Sequence, residues 1–225
     1  MDNWLRSDAL RGILHGFSKK LPPDTVPVLG ERPVFRVRQV HSAHVVIAEE
    51  ASDELEEGDA IVTSQAGFAI GIVTADCAPV LLADKDAGIV AAAHAGWRGA
   101  VAGVCRNTVE AMVETGADRR RIVAVIGPCI APANYEVDGP FRDRFGDGDA
   151  RFFAPSPDPE RSRSGHVQFD LPAFVAAQLA DAGVMTVRDL ALDTYAQPDR
   201  FHSYRRATHD GSDRAGRQWS VIAAG

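Results

Sequence analysis

Apolar residues in this chain come in short, dense runs. Phe68-Ala69-Ile70-Gly71-Ile72-Val73 and Gly88-Ile89-Val90-Ala91-Ala92-Ala93 are continuously apolar, as strands covered on both faces must be. Phe35-Arg36-Val37-Arg38-Gln39-Val40 alternates instead, the pattern of a half-buried strand. Val80-Leu81-Leu82 and Ile122-Val123-Ala124-Val125-Ile126 predict two more strands, with Pro79 interrupting pairing before the first. Helical spacing shows twice. Val101, Val104, Cys105, Thr108 and Met112 share one face of a helix that follows Arg98 and stops at Gly116. Leu171, Phe174, Val175 and Leu179 share the buried face of another, capped by Asp170 and closed by Gly183. Between the two helices, residues 146–165 are rich in Gly, Pro, Ser, Asp and Arg and read as a surface loop. Strands and helices interleave without an internal repeat, which predicts an α/β (α+β) fold and a single domain over residues 1–225.

The chemistry collects where the strands give out. The apolar run that starts at Gly88 ends in Ala93-His94-Ala95-Gly96-Trp97-Arg98-Gly99, a tight turn leading into a helix. His94 and Arg98 therefore stand at a strand-to-helix junction, where free backbone N–H groups favour an anion. The alternating strand delivers His41 at its end, and the run from Phe68 delivers Asp76-Cys77 at its own. Strand ends are where open sheets present ligands. Two imidazoles and one thiolate make three ligands of a tetrahedral metal, with the fourth position open, as in catalytic zinc sites. Their spacing is irregular, unlike a zinc finger, and each residue alone also reads as an ordinary turn or core residue. Cys105 falls on the core face of its helix, and Cys129 reads as a structural thiol in a turn after Ile126.

Composition narrows the classes. Hydrophobic residues make up 45% of 225 and charged residues 24%, an ordinary globular balance. A net charge of −7 argues against nucleic acid as a partner. No apolar stretch is long enough to span a bilayer, and Met1-Asp2-Asn3-Trp4-Leu5-Arg6 lacks a signal-peptide core. Three cysteines suit a reducing compartment, so a cytoplasmic chain is expected.

Six segments together resemble one family. They are Arg38-Gln39-Val40-His41-Ser42, Gly58-Asp59-Ala60-Ile61-Val62-Thr63, Thr74-Ala75-Asp76-Cys77-Ala78-Pro79-Val80-Leu81, Ala93-His94-Ala95-Gly96-Trp97-Arg98-Gly99, Gly127-Pro128-Cys129-Ile130 and Phe201-His202-Ser203-Tyr204-Arg205-Arg206. In this order they look like the laccase-domain family of bacterial zinc-dependent purine nucleoside phosphorylases, also described as polyphenol oxidases. The resemblance implies an α/β/β/α layered sandwich with mixed sheets. It implies one zinc on the residues matching His41, Cys77 and His94. It also implies phosphorolysis of adenosine, inosine and methylthioadenosine, with some adenosine deamination. Where the family carries a Gly-rich loop and a helical segment, this chain has only the short piece Leu21 to Pro33, which implies a changed substrate scope or lost activity.

These readings assign roles. His41, Cys77 and His94 hold the metal, zinc first and copper as the alternative. Arg98 stabilises phosphate charge, and Asp76 handles a proton or orients a ligand imidazole. Gln39 hydrogen-bonds the base or ribose, while Tyr204 and Arg205 bind substrate, Arg205 clamping a phosphate oxygen. The expected partners are purine nucleosides and phosphate, with the chain a monomer or homodimer. Three rival readings stand beside this one. A copper polyphenol oxidase needs close-set histidine pairs, and the chain has seven histidines with His41 and His44 as its one near pair. A cysteine hydrolase would use Cys77 as nucleophile and His94 as base. A metal-stabilised scaffold would keep the site without the reaction.

Overall fold

The computed structural model describes residues 3–21, 32–51 and 54–225, so most of the piece from Leu21 to Pro33 lies outside the described residues. Its strands are β1 (Trp4–Leu5), β2 (Leu14–Ser18), β3 (Val34–Phe35), β4 (Val45–Ile47), β5 (Ala60–Thr63), β6 (Ala69–Thr74) and β7 (Ala78–Asp84). They continue with β8 (Ile89–Ala95), β9 (Val123–Ile126), β10 (Glu136–Val137), β11 (Phe153–Pro155), β12 (Val167–Phe169), β13 (Thr186–Asp189) and β14 (Gln218–Ala223). The α-helices are α1 (Trp97–Ala102), α2 (Val104–Glu114), α3 (Gly139–Arg142), α4 (Pro159–Arg163), α5 (Leu171–Asp181) and α6 (Tyr204–Asp210).

A six-stranded sheet runs β13-β9-β7-β8-β5-β4, and a five-stranded sheet runs β1-β2-β14-β6-β3. Both are mixed. β13 is parallel to β9, β4 to β5 and β3 to β6, whereas β7 and β8 pair antiparallel. Side-chain alternation along β7 and β8 creates two cores. Val80, Leu82, Ala91 and Ala93 pack with Val109 and Met112 of α2 and Phe174, Val175 and Leu179 of α5. Leu81, Ala83, Val90 and Ala92 pack instead with Phe17, Phe35, Ile70, Ile72 and Ile222 of the five-stranded sheet. A strand covered on both faces has no polar register to keep, which is why these runs are continuously apolar. The far face of the smaller sheet is closed by Trp4 and Trp219 over Ala69, Val221 and Ala223. Gly16 allows this closure, because a Cβ there would stand 2.8 Å from the Trp4 ring. The layered, mixed α/β architecture is the one the sequence implied.

Several elements differ in detail from the sequence reading. The helix after Arg98 is broken at Gly103, whose left-handed φ of 96° ends α1 and starts α2. Val101 consequently faces outward at 40% exposure, while Val104, Cys105, Thr108 and Met112 are buried. Pro79 interrupts nothing. It is the second residue of β7, paired opposite His94, and β9 joins β7 only from Val80. The alternating strand at Phe35–Val40 shrinks to Val34–Phe35, because the Gln39 side chain takes over the pairing. Its amide donates to the Val73 carbonyl at 2.8 Å and accepts from the Val73 N–H at 2.8 Å. Residues 146–165 carry a 3-10 turn (Asp147–Phe152), β11 and α4. Phe152 and Phe153 draw the segment inward. Phe152 meets Phe174, and Phe153 stacks on Phe169 at 4.9 Å between ring centroids. Asp158 caps α4 by accepting from the N–H groups of Glu160 and Arg161, with Pro159 in the first turn. The helix at Leu171–Asp181 matches the expected cap, buried face and Gly183 stop.

Candidate metal centre

His94 is the penultimate residue of β8, Cys77 precedes β7, and His41 follows the short bridge that pairs Arg38 with Glu57. The antiparallel register of β7 and β8 sets Ala78 opposite Ala95, which brings Cys77 beside His94. The ligand atoms of His41, Cys77 and His94 all lie within 4.8 Å of one another. Among the described residues this is the group of His, Cys, Asp and Glu side chains arranged to hold a metal ion. The two imidazoles meet edge to face at 4.8 Å between ring centroids. Gly96 leaves room for them, since a Cβ there would stand 2.8 Å from Cys77 Sγ and 3.2 Å from His41 Cδ2.

Backbone strain marks the same spot. His41 and Asp76 are two of the three described non-glycine residues with left-handed backbone, at φ 61° and 86°. Such conformations cost about 1–3 kcal/mol each and persist where surrounding bonds hold them. At Asp76 the bonds are long-range. Its carboxylate accepts from Thr194 Oγ1 at 2.7 Å, Ser203 Oγ at 3.0 Å and the Arg205 N–H at 2.7 Å. At His41 they run to Asp59, which is fully buried and accepts the N–H groups of Val40, His41 and Ser42. Asp59 also accepts His94 Nδ1 at 2.8 Å. The carboxylate that holds a triad imidazole is thus Asp59, and Asp76 spends its oxygens on the C-terminal segment.

The charges suit a metal. Burial alone would raise the Cys77 pKa, but the His94 charge and the hydrogen bonds of His41 and His94 bring it down to about 6. Burial disfavours charge on His94 as well, yet the Cys77 thiolate and the Asp59 hydrogen bond lift it to about 9. Burial opposes ionisation of Asp59, and its bonds to His94 and Ser42 hold it far below the usual carboxylate range. Each group thus favours the charged form of the other, the thiolate and the imidazolium. One thiolate and two imidazoles are the donor set that zinc and copper take, and the bond from His94 Nδ1 to Asp59 leaves Nε2 for the metal.

A cavity of about 640 Å³ opens over the triad. All eight residues singled out in the sequence line it: Gln39, His41, Asp76, Cys77, His94, Arg98, Tyr204 and Arg205. Arg98 is exposed and lies over the Trp97 ring, 4.4 Å from its centroid. Arg205 donates from Nη1 to the Glu136 carbonyl at 2.7 Å and covers the Tyr135 ring. Gln39 faces the cavity with an amide already engaged by Val73. Cys129 and Cys105 are buried away from it, both in the core packed against α2 and α5. Arg217, Tyr135 and Thr74 also line the cavity, and sequence reading missed all three as it missed Asp59. The hydroxyl of Thr74 is buried without a hydrogen-bond partner at this wall. Asp59 did carry a signal, a lone carboxylate opening the apolar run Ala60-Ile61-Val62. Arg217 and Tyr135 carried none.

Residues 25–225 match the family model described as multi-copper polyphenol oxidoreductase laccase. The chain belongs to this family. Among curated relatives, the Rickettsia prowazekii protein named purine nucleoside phosphorylase RP494 is 39% identical over 179 residues, 78% of this chain and 72% of that protein. The Deinococcus radiodurans protein named purine nucleoside phosphorylase is 40% identical over 188 residues, covering 83% and 68% of the two chains. The crystal structure of Neisseria meningitidis protein NMB0706 superposes with a TM-score of 0.84 at 29% identity, over 99% of each chain. Family membership thus rests on nearly the whole chain, the metal-centre motifs included. No described helix is long and apolar enough to cross a membrane.

Proposed function

We propose that this chain is a zinc-dependent purine nucleoside phosphorylase, splitting adenosine, inosine and methylthioadenosine with phosphate, with a side activity of adenosine deamination. One observation carries the reading: a single cavity joins the His41–Cys77–His94 triad to arginines suited to phosphate. The names of the relatives supply the reaction class.

His41, Cys77 and His94 would hold the zinc. When bound, the ion supplies Lewis-acid polarisation at the position that the three side chains leave open. The chain's own residues do the rest. Arg98, Arg205 and Arg217 line the cavity, and guanidinium matches phosphate oxygens bidentately, although Arg205 Nη1 also donates to the Glu136 carbonyl and Arg217 Nη1 to those of Arg214 and Gly216. The carboxylate of Asp76 faces the same space, but three donors hold it, so it stiffens the Tyr204–Arg205 turn. Trp97 and Tyr135 give the cavity apolar walls beside the cations, a mixture suited to a purine next to a phosphate. Copper-centred oxidation fits less well, because a coupled copper cluster needs more imidazoles than the two in this group.

The test is phosphate-dependent release of free base from the three nucleosides, with ammonia release from adenosine followed in parallel. Wild type is compared with Cys77→Ala and Arg98→Ala, and metal content is counted. Base release that needs phosphate, about one zinc per chain, and loss in both variants are expected. Turnover that survives chelation would overturn the reading in favour of a Cys77 nucleophile.

A further inference from the structure

Asp59 stands just before β5, in the register position opposite His94. The β5–β8 pairing runs from Ala60 opposite Ala93, and the His94 N–H donates to the Asp59 carbonyl at 2.7 Å. The carboxylate is 0% exposed and meets five donors. Oδ1 accepts from the His41 N–H at 3.0 Å and from His94 Nδ1 at 2.8 Å. Oδ2 accepts from the Val40 N–H at 3.2 Å, the Ser42 N–H at 2.6 Å and Ser42 Oγ at 2.8 Å. The three successive N–H groups converge on one carboxylate at a turn whose middle residue, His41, is left-handed at φ 61°.

We infer that Asp59 is the positioning residue for both imidazoles of the triad, fixing the His41 turn through its backbone bonds and presenting Nε2 of His94 by holding Nδ1. The inference rests on the reading of the triad as a metal centre. Donor counting makes it sharp, because an asparagine keeps one acceptor oxygen where the carboxylate has two. With that oxygen toward His94 the His41 N–H bond is kept, but the amide N–H₂ faces the N–H groups of Val40 and Ser42, and the His41 turn loses two of its three backbone bonds. With the oxygen toward Ser42, the N–H₂ faces His94 Nδ1, which must then become an acceptor. The proton moves to Nε2, and the metal loses that ligand. Either orientation loosens the hold on one of the two imidazoles. Carboxylates placed in this way against ligand histidines typically govern metal affinity by about 10–100-fold.

The experiment measures zinc affinity by competition with a chromophoric chelator for metal-free wild type, Asp59→Asn and Ser42→Ala. It adds the ¹⁵N–¹H histidine spectrum of the zinc-loaded wild type. Ser42→Ala removes one of the five bonds and keeps the backbone anchor. The expected result is at least a tenfold loss of affinity in Asp59→Asn and less than a threefold loss in Ser42→Ala. The wild-type spectrum should show His94 protonated at Nδ1 and ligated through Nε2. Equal affinity in wild type and Asp59→Asn, or an equal loss in both variants, overturns the inference while leaving the metal centre standing. If Asp59→Asn does not fold, the spectrum decides, and ligation of His94 through Nδ1 overturns it. A wild type that takes up no zinc sinks the metal centre and this inference together.

Discussion

Gly96→Ala is the most discriminating small change available at the centre. Gly96 has φ −69° and ψ 159°, an extended conformation open to any residue, so the backbone does not require glycine. In the metal-free fold the gain from a less flexible unfolded chain, about 0.4–1 kcal/mol, is offset by the loss of the glycine N-cap of α1. The new methyl group would stand 2.8 Å from Cys77 Sγ and 3.2 Å from His41 Cδ2. Contacts of this kind settle near 3.5–4.0 Å, so the sulfur must retreat by about 0.7–1.2 Å. Metal–ligand distances tolerate only about 0.2 Å. Zinc affinity should therefore fall at least tenfold, about 1.4 kcal/mol, while the metal-free protein melts within about 1 kcal/mol of wild type. Chelator competition and thermal melting of the metal-free proteins measure the two terms separately. Wild-type zinc affinity in a folded Gly96→Ala variant would show that the sulfur does not ligate from where it stands.

Three further outcomes follow from the packing and the charges. In the metal-free protein, Cys77 should react with iodoacetamide with a midpoint near pH 6, because the His94 charge and the two histidine hydrogen bonds outweigh the opposing effect of burial. At pH 7 about nine-tenths of it would be thiolate, against about three-hundredths for an ordinary thiol, and bound zinc should protect it. Cys105, which burial pushes up to about 12, should stay unmodified in the folded chain; a midpoint near pH 9 for Cys77 would refute the ion pair. Gly127→Ala should cost about 1–3 kcal/mol in urea unfolding, since its Cβ would overlap the buried Phe17 ring; an unchanged midpoint would mean that the two sheets can part there. His15 is buried and neutral, its Nδ1 donating to the Ile13 carbonyl and its Nε2 accepting the Ser7 N–H, and burial holds its pKa below 6.5. The unfolded chain takes up that proton first as the pH falls, so His15 contributes stability above 6.5 that is lost on the acid side. The drop in stability between pH 7 and about pH 5 should be smaller in His15→Gln, and an identical drop would remove His15 from the account.

The residues of the candidate metal centre were legible because each stands where a hydrophobic pattern ends. His94 ends a continuously apolar run that forms a buried strand, and Cys77 follows another. Gly, Pro and Asp mark the segment after Gly146 as surface, and most of it is exposed, but its composition did not show the short elements around buried Phe152 and around Phe153, which stacks on Phe169. Gln39 was legible as a residue beside the site, but its amide pairs with Val73, 34 positions away. Nothing in a local alternation distinguishes a side chain that continues a ladder from one that binds a ligand.

By itself, the sequence determined the central strands β6 to β9, the two long helices α2 and α5, the two-faced burial of those strands and the donor types at their ends. Those properties are local, written in periodicities of two and about 3.6 residues. Tertiary structure alone decided which carboxylate bonds to which residue of the candidate site. Asp59 reaches His94 across 35 residues, and Asp76 reaches Thr194, Ser203 and Arg205 across 118 to 129. Those partners meet because sheet register and loop course bring them together. A buried carboxylate must collect donors from whatever backbone arrives beside it, so its role is fixed only when the fold is closed.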